Sequence, residues 1–538
     1  MVVVRVGLPR KVCAVTQVMR RSCGDARGSH DTARGRDPAH GLQFGSDNMQ
    51  SPQIRVEDLK RLVIEVPRYT SYPTAAEFSP IVDARVHATN LHEAGVGPGA
   101  PLALYVHLPF CRTLCHFCGC HAMVARTPDR MDRYLGALFR EIELVSQALG
   151  SERPVAELHF GGGSPSLLSP EEIERLVTKL RACFPFADHA AIAIEADPRT
   201  TDREKLACYR RLGVGRISFG FQDLDENVQH AIGRDQSAAT SRSAFELARA
   251  AGFEGINVDL CYGLPEQTEA TFARTVAETI ALRPDRVALF GYAHVPWMRR
   301  QQERIDVRTL PGVDRRLRLV SEAHAQFTGA GYIPIGFDHF ALATDSLAKA
   351  AEERRLHRNF QGYTATRTDA LVGLGLSAIS DLPSAYAQNA RTLPEYYAAI
   401  DAGRLPTERG AIRSFDDHLR AEVIRQIMCT FRVDRRRVEH AFGIPFEPTF
   451  AAELAALQGL ATEGLVVVDD DGIELTPLGR MFVRNVAVVF DAYYEKSRAK
   501  RPGSKLTARA VPTGVSSDES PVPEPTEEVP THRFSSSV

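Results

Sequence analysis

Apolar segments alternate with amphipathic helical patterns from residue 102 onward, and the alternation repeats about every 30 to 40 residues. The apolar segments are continuous, which is typical of strands that are buried on both faces of a parallel sheet. Six such units predict an α/β fold with a full or partial barrel of parallel strands. The predicted strands are 102–106, 155–160, 190–195, 216–221, 255–260 and 286–290. The predicted helices between them are 129–149, 170–184, 202–212, 238–251 and 269–282.

The pattern differs on both sides of this barrel region. Residues 1–48 are rich in Gly, Arg, Ser, Asp and His and lack sustained periodicity, as expected of a disordered extension. Near the other end, Asp-Gly between two short apolar runs at 464–476 predicts a β-hairpin. The predicted organisation is a disordered extension (1–48), a segment that packs on the barrel (49–97), the barrel (98–385), a mainly helical C-terminal domain with a hairpin (386–498) and a disordered tail (499–538).

Composition and charge argue against several broad classes of protein. The chain has 538 residues, is 44% hydrophobic and 25% charged, and carries a formal net charge of −2. This balance gives no reason to expect nucleic acid as a partner, and no apolar run approaches the roughly 18 residues that span a bilayer. The first residues form a poor secretory signal, because proline and basic residues interrupt them. We therefore expect a cytoplasmic protein that binds neither membrane nor nucleic acid.

Four cysteines lie within ten residues after the first predicted strand: Cys111, Cys115, Cys118 and Cys120. A reducing compartment disfavours disulfides, and ten cysteines in the whole chain are too few for a disulfide scaffold. Structural zinc would use four thiolates, but its ligands usually come as two separated pairs. Closely spaced thiolates in one loop are typical of an iron–sulfur cluster, although this spacing is not the common ferredoxin one. The spacing favours a cluster and leaves zinc open.

Polar or small residues also follow the other predicted strands. Three glycines stand at 161–163, and Glu195, Gln222 and Asp259 stand at or near the ends of later strands. The carboxyl ends of parallel strands meet at one rim of a barrel, so we expect these residues around a common ligand pocket. The glycines do not form a phosphate-binding loop, and they indicate either a close backbone approach to a ligand or a tight turn.

Several separated motifs match one known family. The spacing C-x-x-x-C-x-x-C at Cys111, Cys115 and Cys118, after the first strand of an α/β barrel, is the signature of radical S-adenosylmethionine (SAM) enzymes. Further stretches make residues 65 to 497 resemble the oxygen-independent coproporphyrinogen III oxidases, a branch of that superfamily. These stretches are 67–74, 117–120, 161–165, 194–199, 220–223, 257–265, 357–363 and 377–380. The resemblance implies a radical-SAM α/β barrel followed by a mainly helical C-terminal domain.

The resemblance also implies the cofactors and their ligands. Cys111, Cys115 and Cys118 would bind three irons of a [4Fe–4S] cluster, and the fourth iron would bind SAM. Cys120 matches a family cysteine that is not a cluster ligand, and it is a possible catalytic residue of unknown role. The positions that would contact this first SAM are Tyr105, Gly162, Glu195, Ala293 and Ile379. The positions that would contact a second SAM are Phe117, Gly163, Ser164, Gln222, Arg234 and Asp259.

The implied reaction is the oxidative decarboxylation of two propionates of coproporphyrinogen III to vinyl groups, which gives protoporphyrinogen IX. A 5′-deoxyadenosyl radical derived from SAM would remove a hydrogen from each propionate β-carbon, and loss of CO₂ and one electron would follow. The implied partners are the tetrapyrrole substrate and an electron donor such as a flavodoxin- or ferredoxin-type protein. The family resemblance also implies a monomer.

Arg68 and Arg358 are candidates for binding the substrate carboxylates, because arginine binds both carboxylate oxygens and each lies in an aromatic, polar stretch. The alternative is that each arginine only braces its own loop. Two other functions stay open at this point, a haem-binding chaperone of the same superfamily and a zinc-stabilised interaction protein. The position of Cys120 and the stretch 357–363 favour the oxidase.

Overall fold

The computed structural model describes residues 59–96, 99–125, 127–150 and 152–499. The prediction of disorder for 1–48 lies outside the described residues, and so does that for 499–538 except at Ala499, which ends a helix. Residues up to Tyr493 belong to one compact unit, and the short helix Tyr494–Ala499 belongs to a second unit. The first unit is built around a twelve-stranded sheet.

All six predicted strands are confirmed, and each is longer than the apolar run that marked it. They run parallel, and each pairs with the next one along the chain. A seventh parallel strand, Ala370–Leu374, pairs with the free edge of the first. The first to sixth barrel strands are Leu102–Leu108, Val155–Gly162, Phe186–Ala196, Val214–Gln222, Gly255–Tyr262 and Arg286–Gly291.

Antiparallel strands extend this sheet on both sides and leave it open. On one side, His339–Ala341 pairs with the sixth strand and Ile333–Ile335 forms the edge. On the other side, Ile379–Asp381, Ala385–Asn389 and Thr407–Ile412 follow the seventh strand in that order. The two edge strands are not paired with each other in the described residues, so the sheet is a partial barrel, as predicted.

Helices pack against the parallel strands because each helix has one apolar face. The five predicted helices are confirmed to within one residue at each end, as Pro128–Leu149, Pro170–Cys183, Arg203–Arg211, Ala238–Ala250 and Glu269–Leu282. In the second of them the buried side chains recur every three or four residues, at Ile173, Leu176, Val177 and Leu180. This helix begins at Ser169, whose hydroxyl accepts the Glu172 N–H while the Glu172 carboxylate accepts the Ser169 N–H.

The remaining helices complete the first unit. They are Ala84–Val96, Glu226–Ala231, Val313–Gly329, Ser346–Glu352, Leu393–Asp401, Phe415–Thr430, Arg435–Phe442, Phe446–Thr449, Ala451–Thr462, Pro477–Met481 and Val483–Ala487. Across the described part of the chain, no helix combines the length and apolarity needed to cross a membrane.

The region after residue 412 is mainly helical, and it shares its apolar core with the N-terminal segment and with side chains between residues 317 and 363. Its fully buried side chains include Val423, Ile427, Phe446 and Phe490. The predicted hairpin is confirmed, since Val466–Val468 pairs antiparallel with Gly472–Leu475, and Arg432–Asp434 adds a third strand. Two strands of the main sheet, Ala385–Asn389 and Thr407–Ile412, extend past the predicted end of the barrel at residue 385. The domain boundaries themselves stay predictions.

The N-terminal segment is fixed to the C-terminal region on both sides of Arg68. The Asn485 side chain donates to the Leu62 carbonyl at 2.7 Å. Farther along, the Ala492 N–H donates to the Tyr72 hydroxyl at 2.9 Å. These contacts set the path of the segment and thereby place Arg68 near the end of the sixth barrel strand.

A buried carboxylate, Glu141 of helix Pro128–Leu149, joins three segments at the other edge of the barrel. It accepts hydrogen bonds from the Gly375 N–H (2.8 Å), the Asn389 side chain (2.6 Å) and the Tyr396 hydroxyl. Burial raises the pKa of Glu141 to about 7 although these donors oppose the shift. Glu141 therefore fixes the turn that follows the seventh strand.

Glu141→Gln should change how stability depends on pH. Because the pKa is raised in the folded protein, protonated Glu141 contributes stability that is present below its ordinary pKa and lost as pH rises through about 7. Glutamine cannot ionise. The stability of the wild type relative to the variant should therefore fall by about 3 kcal/mol between about pH 4 and about pH 8, measured by thermal or denaturant unfolding.

The matched control is Glu143→Gln on the same helix, where the glutamate side chain is half exposed. That variant should follow the wild type at both pH values. A difference between wild type and Glu141→Gln that stays constant with pH would contradict the role given to Glu141.

Candidate active site

The four-cysteine loop leaves the carboxyl end of the first barrel strand and closes on itself. Phe110–Cys111 pairs parallel with Met123–Val124, which brings the two ends of the loop together. The Met123 N–H donates to the Pro109 carbonyl (2.8 Å), and the Ala125 N–H donates to the Cys111 carbonyl (3.1 Å). The loop therefore has fixed ends, and the cysteines between them occupy defined positions.

Three consecutive carbonyls in the middle of the loop accept hydrogen bonds from side chains that follow the sixth barrel strand. These hydrogen bonds run from Gln302 to Phe117 (2.9 Å), from Gln301 to Cys118 (2.7 Å) and from Arg299 to Gly119 (2.8 Å). The His116 N–H also donates to the Ile232 carbonyl at 2.8 Å. Sequence analysis missed the two glutamines, because their partners lie more than 180 positions away and no local pattern marks them.

The glycines at 161–163 pack against the end of the first barrel strand and the start of this loop. A Cβ on Gly163 would lie 2.7 Å from the Phe110 carbonyl oxygen, and a Cβ on Gly162 would lie 2.8 Å from the His107 ring. The Gly163 N–H donates to the Leu108 carbonyl at 2.8 Å. Gly163 thus allows a close approach of two protein segments, and the φ of +118° at Gly162 fits the predicted turn. Contact of these glycines with a ligand stays a prediction.

Cationic and hydroxyl groups lie next to the thiols. Arg234 Nη1 is 3.4 Å from Cys115 Sγ, and Ser164 Oγ is 3.8 Å from Cys111 Sγ. The Arg234 side chain is only 9% exposed, and its Nη2 donates to the Gly220 carbonyl at 2.7 Å. A buried guanidinium beside soft thiolate donors fits an anionic iron–sulfur cluster, since it balances part of the negative charge.

The thiols differ in how readily they lose a proton. Burial raises the pKa of Cys111 to about 12, whereas a hydrogen bond with Cys120 lowers the pKa of Cys118 to about 7. Within the described residues, no three His, Cys, Asp or Glu side chains surround one point where a single metal ion would bind. A four-iron cluster does not need such a point, because each thiolate binds a different iron and loses its proton on binding.

Three of the five positions predicted to contact the first SAM lie together inside the barrel. Glu195 Oε2 accepts the Gly162 N–H at 3.1 Å, and Glu195 Oε1 is 3.1 Å from His159 Nε2. The Tyr105 ring stacks on His159 with ring centroids 5.9 Å apart. Burial opposes ionisation, but the His159 hydrogen bond and charge outweigh it and keep the pKa of Glu195 below its usual value. The Glu195 side chain is 42% exposed, so a carboxylate faces open space.

The other two positions reach the same rim from distant segments. Ala293 follows the sixth strand, and its carbonyl accepts a hydrogen bond at 3.2 Å from Gln302, which also holds the cysteine loop. The Ile379 backbone packs against Gly373, because a Cβ added at Gly373 would lie 2.6 Å from the Ile379 carbonyl oxygen. Gly373 is the sheet partner of Tyr105. The fold thus brings all five positions to one rim, and their contact with SAM stays a prediction.

The positions predicted to contact a second SAM line the adjoining part of the rim. Burial and the nearby Glu195 carboxylate raise the pKa of Asp259 to about 6. Gln222 has φ +68°, which is uncommon for a residue other than glycine and occurs often at functional sites. A Cβ on Gly220 would lie 2.7 Å from the Gln222 side chain and 3.3 Å from Arg234. The remaining three positions, on the cysteine loop and after the second strand, are Phe117, Gly163 and Ser164. Their contact with SAM also stays a prediction.

Cys120 differs from the other three cysteines of the loop. It is exposed, and its backbone N–H lies 3.4 Å from Cys118 Sγ. Its hydrogen bond with Cys118 raises the pKa of Cys120 well above the ordinary value, and the charge of Glu195 adds to this shift. Cys120 therefore stands as a neutral thiol near the predicted first SAM position. Its catalytic role stays a prediction.

Similarity to known proteins decides the family. A model of the Radical SAM superfamily matches residues 105–278, and a model of the HemN C-terminal domain matches residues 414–482. The oxygen-independent coproporphyrinogen III oxidases of Synechocystis sp. and Pseudomonas aeruginosa are 40% and 41% identical to the chain, over 82% of the chain and over 95% and 96% of the relatives. The chain belongs to the oxygen-independent coproporphyrinogen III oxidase family.

A solved structure of the same family supports the fold. The coproporphyrinogen III oxidase of Escherichia coli, described as a radical SAM enzyme, is 41% identical and matches with a TM-score of 0.77 over 79% of this chain and 97% of that chain. The cofactors of this oxidase family are a [4Fe–4S] cluster and SAM. These similarities favour the oxidase over the haem chaperone and the zinc-stabilised interaction protein.

The two arginines proposed to bind substrate differ in exposure in this member of the oxidase family. Arg68 is exposed, and its Nη2 donates to the Gly291 carbonyl at 3.3 Å, at the end of the sixth strand. The Arg358 side chain is 5% exposed, with Nη2 at 3.5 Å from Asp338 Oδ2 and the guanidinium 4.5 Å from the Tyr363 ring centroid. Arg358 therefore contacts its own loop through Tyr363, and its contact with substrate stays a prediction.

Two further arginines, which sequence analysis missed, lie nearby. Arg316 Nη2 donates to the Tyr292 carbonyl at 2.7 Å, and the charges of Arg316 and Arg68 both act on the buried Cys261 thiol. Burial and the charges of Arg68 and other nearby groups lower the pKa of Arg484. We call these four side chains the arginine cluster, which consists of Arg68, Arg316, Arg358 and Arg484. No sequence motif marks it, because its members come from four separate segments.

Asp338 is the carboxylate of the arginine cluster. Burial opposes its ionisation, but His339 and Arg358 outweigh burial and lower the pKa of Asp338 to about 2. One carboxylate among four guanidinium groups leaves the arginine cluster with excess positive charge. Such a site favours a ligand that carries several carboxylates.

Replacing Cys111, Cys115 or Cys118 by Ala should abolish the iron–sulfur cluster, because each change removes one predicted thiolate ligand. Cys120→Ala should retain it. Iron and sulfide analysis with EPR spectroscopy of anaerobically reconstituted protein measures both outcomes. Cys183→Ala, a partly buried cysteine at the end of helix Pro170–Cys183, is the matched control and should bind iron normally. A loss of iron in Cys120→Ala as complete as in the other three variants would contradict the three-ligand assignment.

Proposed function

We propose that the chain converts two propionate side chains of coproporphyrinogen III to vinyl groups without oxygen, giving protoporphyrinogen IX and two CO₂. The observation that carries the proposal is the 40% identity to the Synechocystis oxidase over 95% of that relative. The arrangement of the barrel rim supports it, because the cysteine loop and the arginine cluster both lie at the carboxyl ends of the parallel strands.

The chain's own residues bind and orient the reacting groups. When bound, the [4Fe–4S] cluster and SAM supply the radical chemistry that removes a hydrogen atom from a propionate β-carbon. Cys111, Cys115 and Cys118 would hold the cluster. Glu195, kept ionised by His159, presents a negative charge and hydrogen-bond acceptors to a cationic SAM.

The arginine cluster would bind the carboxylates of the substrate. Coproporphyrinogen III carries four propionates, and each needs a cationic partner when it leaves water. Arg68 is exposed, so its guanidinium group can bind a carboxylate. Arg358 also has donors to offer, because its Nε and Nη1 have no hydrogen-bond partner among the described residues. A substrate carboxylate would satisfy these buried donors.

Arg68→Ala and Arg358→Ala should each raise the KM for coproporphyrinogen III by about 10- to 100-fold, because each loses a charged hydrogen bond worth about 1.5–3 kcal/mol. SAM binding should survive, as measured by equilibrium dialysis. Arg436→Ala, which removes an 84% exposed side chain from the C-terminal region, is the matched control and should leave KM unchanged. An unchanged KM in both test variants would show that these arginines do not bind the substrate.

The wild-type protein with a reconstituted cluster should convert coproporphyrinogen III under anaerobic conditions. Turnover should require SAM and a reductant, and chromatography of the products should detect protoporphyrinogen IX after oxidation to the porphyrin. Stoichiometric haem binding without any turnover would instead assign the chain to the haem-chaperone function.

We also infer the partners and setting of this reaction. The electron would come from a small redox protein of the flavodoxin or ferredoxin type. The protein would be a monomer in the cytoplasm, which is consistent with a formal net charge of −2 and with the lack of long apolar runs in the sequence. Light scattering coupled to size-exclusion chromatography tests the monomer, since a dimer would elute with twice the chain mass of 59.2 kDa.

A further inference from the structure

An exposed turn lies next to the cysteine loop. Trp297 and Met298 are 69% and 67% exposed, and Trp297 is the single tryptophan of the chain. They are followed by Arg299 and Arg300. Tryptophan, methionine and arginine are the residue types enriched where proteins bind one another. The turn therefore has the composition of a binding surface.

The turn is joined directly to a predicted cluster ligand. Arg299 and Gln301 donate to the carbonyls of Gly119 (2.8 Å) and Cys118 (2.7 Å). The Met298 N–H closes the turn by donating to the Val295 carbonyl at 2.8 Å. Met298 is one residue along the chain from Arg299 and three residues from Gln301. A protein bound on Trp297 and Met298 would thus lie close to side chains that contact the cysteine loop.

The adjoining surface is positively charged. A cleft of about 460 Å³ lies between the turn and the cysteine loop, and its charged lining residues are Arg130, Arg299, Arg300 and Arg391. Arg391 pairs with Glu408, whereas the other three arginines have no carboxylate partner in the described part of the chain. Glu303, exposed in the next helical turn, is the nearest acidic residue in sequence. Three uncompensated guanidinium groups favour an acidic partner.

We propose that the turn 297–300 and the cleft beside it form the docking surface for a small acidic one-electron carrier protein. The proposal rests on the proposed function, which needs an electron at the cluster. One electron leaves the reduced carrier, which becomes oxidised by one electron, and the cluster becomes reduced by one. No atom is transferred. Docking here places the carrier against the loop that contains Cys118. The electron would then have a short path from the carrier to the cluster.

Trp297 reports binding directly. A ferredoxin that contains no tryptophan is the probe, titrated in its oxidised form into the cluster-containing protein. Acrylamide quenching of Trp297 fluorescence should decrease about twofold at saturation, because the carrier covers the indole. The protection should weaken as salt rises and should be lost in Arg300→Glu. Unchanged quenching at saturating ferredoxin would overturn the proposal.

Kinetics with two reductants provides the second test. Trp297→Ser and Arg300→Glu should each raise the KM for reduced flavodoxin about tenfold or more, since each removes part of the docking surface. Turnover supported by dithionite, and the iron content, should stay at the wild-type level, because neither side chain holds the cysteine loop. Arg436→Glu is the matched charge reversal, on helix Arg435–Phe442, and should leave both activities unchanged.

The outcomes separate docking from the reaction itself. An unchanged KM for flavodoxin in both variants would overturn the docking surface while leaving the proposed function intact. A loss of dithionite-supported turnover as large as the loss with flavodoxin would also overturn the docking surface. It would indicate that the turn contacts the substrate instead. A wild-type protein without turnover in dithionite would refute the proposed function, and the fluorescence titration would still decide whether the carrier docks.

Discussion

One close backbone contact constrains the whole active site. The glycines at 161–163 pass so near the cysteine loop that a side chain at Gly163 would meet the Phe110 carbonyl at 2.7 Å. The Gly163 N–H bonds to Leu108, so the ends of the first two barrel strands are tied to the start of the loop. Because Cys111 follows Phe110 directly, the pairing of the two strands sets the position of the first thiol.

Charge is arranged in two opposite ways around the barrel rim. Glu195 and Asp259 present carboxylates where a cationic SAM is proposed to bind, and His159 supports the first of them. The arginine cluster lies at the ends of the fifth and sixth strands and carries excess positive charge, which suits a substrate with several carboxylates. Buried Arg234 stands next to Cys115, where it would offset part of the negative charge of a bound iron–sulfur cluster. One rim can thus hold ligands of opposite charge without mixing their sites.

The segment that follows the sixth strand has two roles, since it holds the cysteine loop and contains the exposed turn 297–300. Arg299, Gln301 and Gln302 hold three carbonyls of the cysteine loop, while Trp297 and Met298 face solvent. The same few residues therefore connect the protein surface to the cluster ligands. The proposed carrier would therefore approach the predicted cluster ligands from the protein surface.

The sequence by itself determined the strands, the helices and the hairpin, because hydrophobic periodicity and turn residues are local signals. It also marked the cysteine motif, whose members lie within ten residues. It did not reveal that Gln301 and Gln302 hold the cysteine loop, that Arg316 and Arg484 join Arg68, or that the glycines make room for Phe110. Only the tertiary structure decided these points. Each is a contact between distant segments, and it depends on strand register and on how the sheet curves, which no local pattern of residues records.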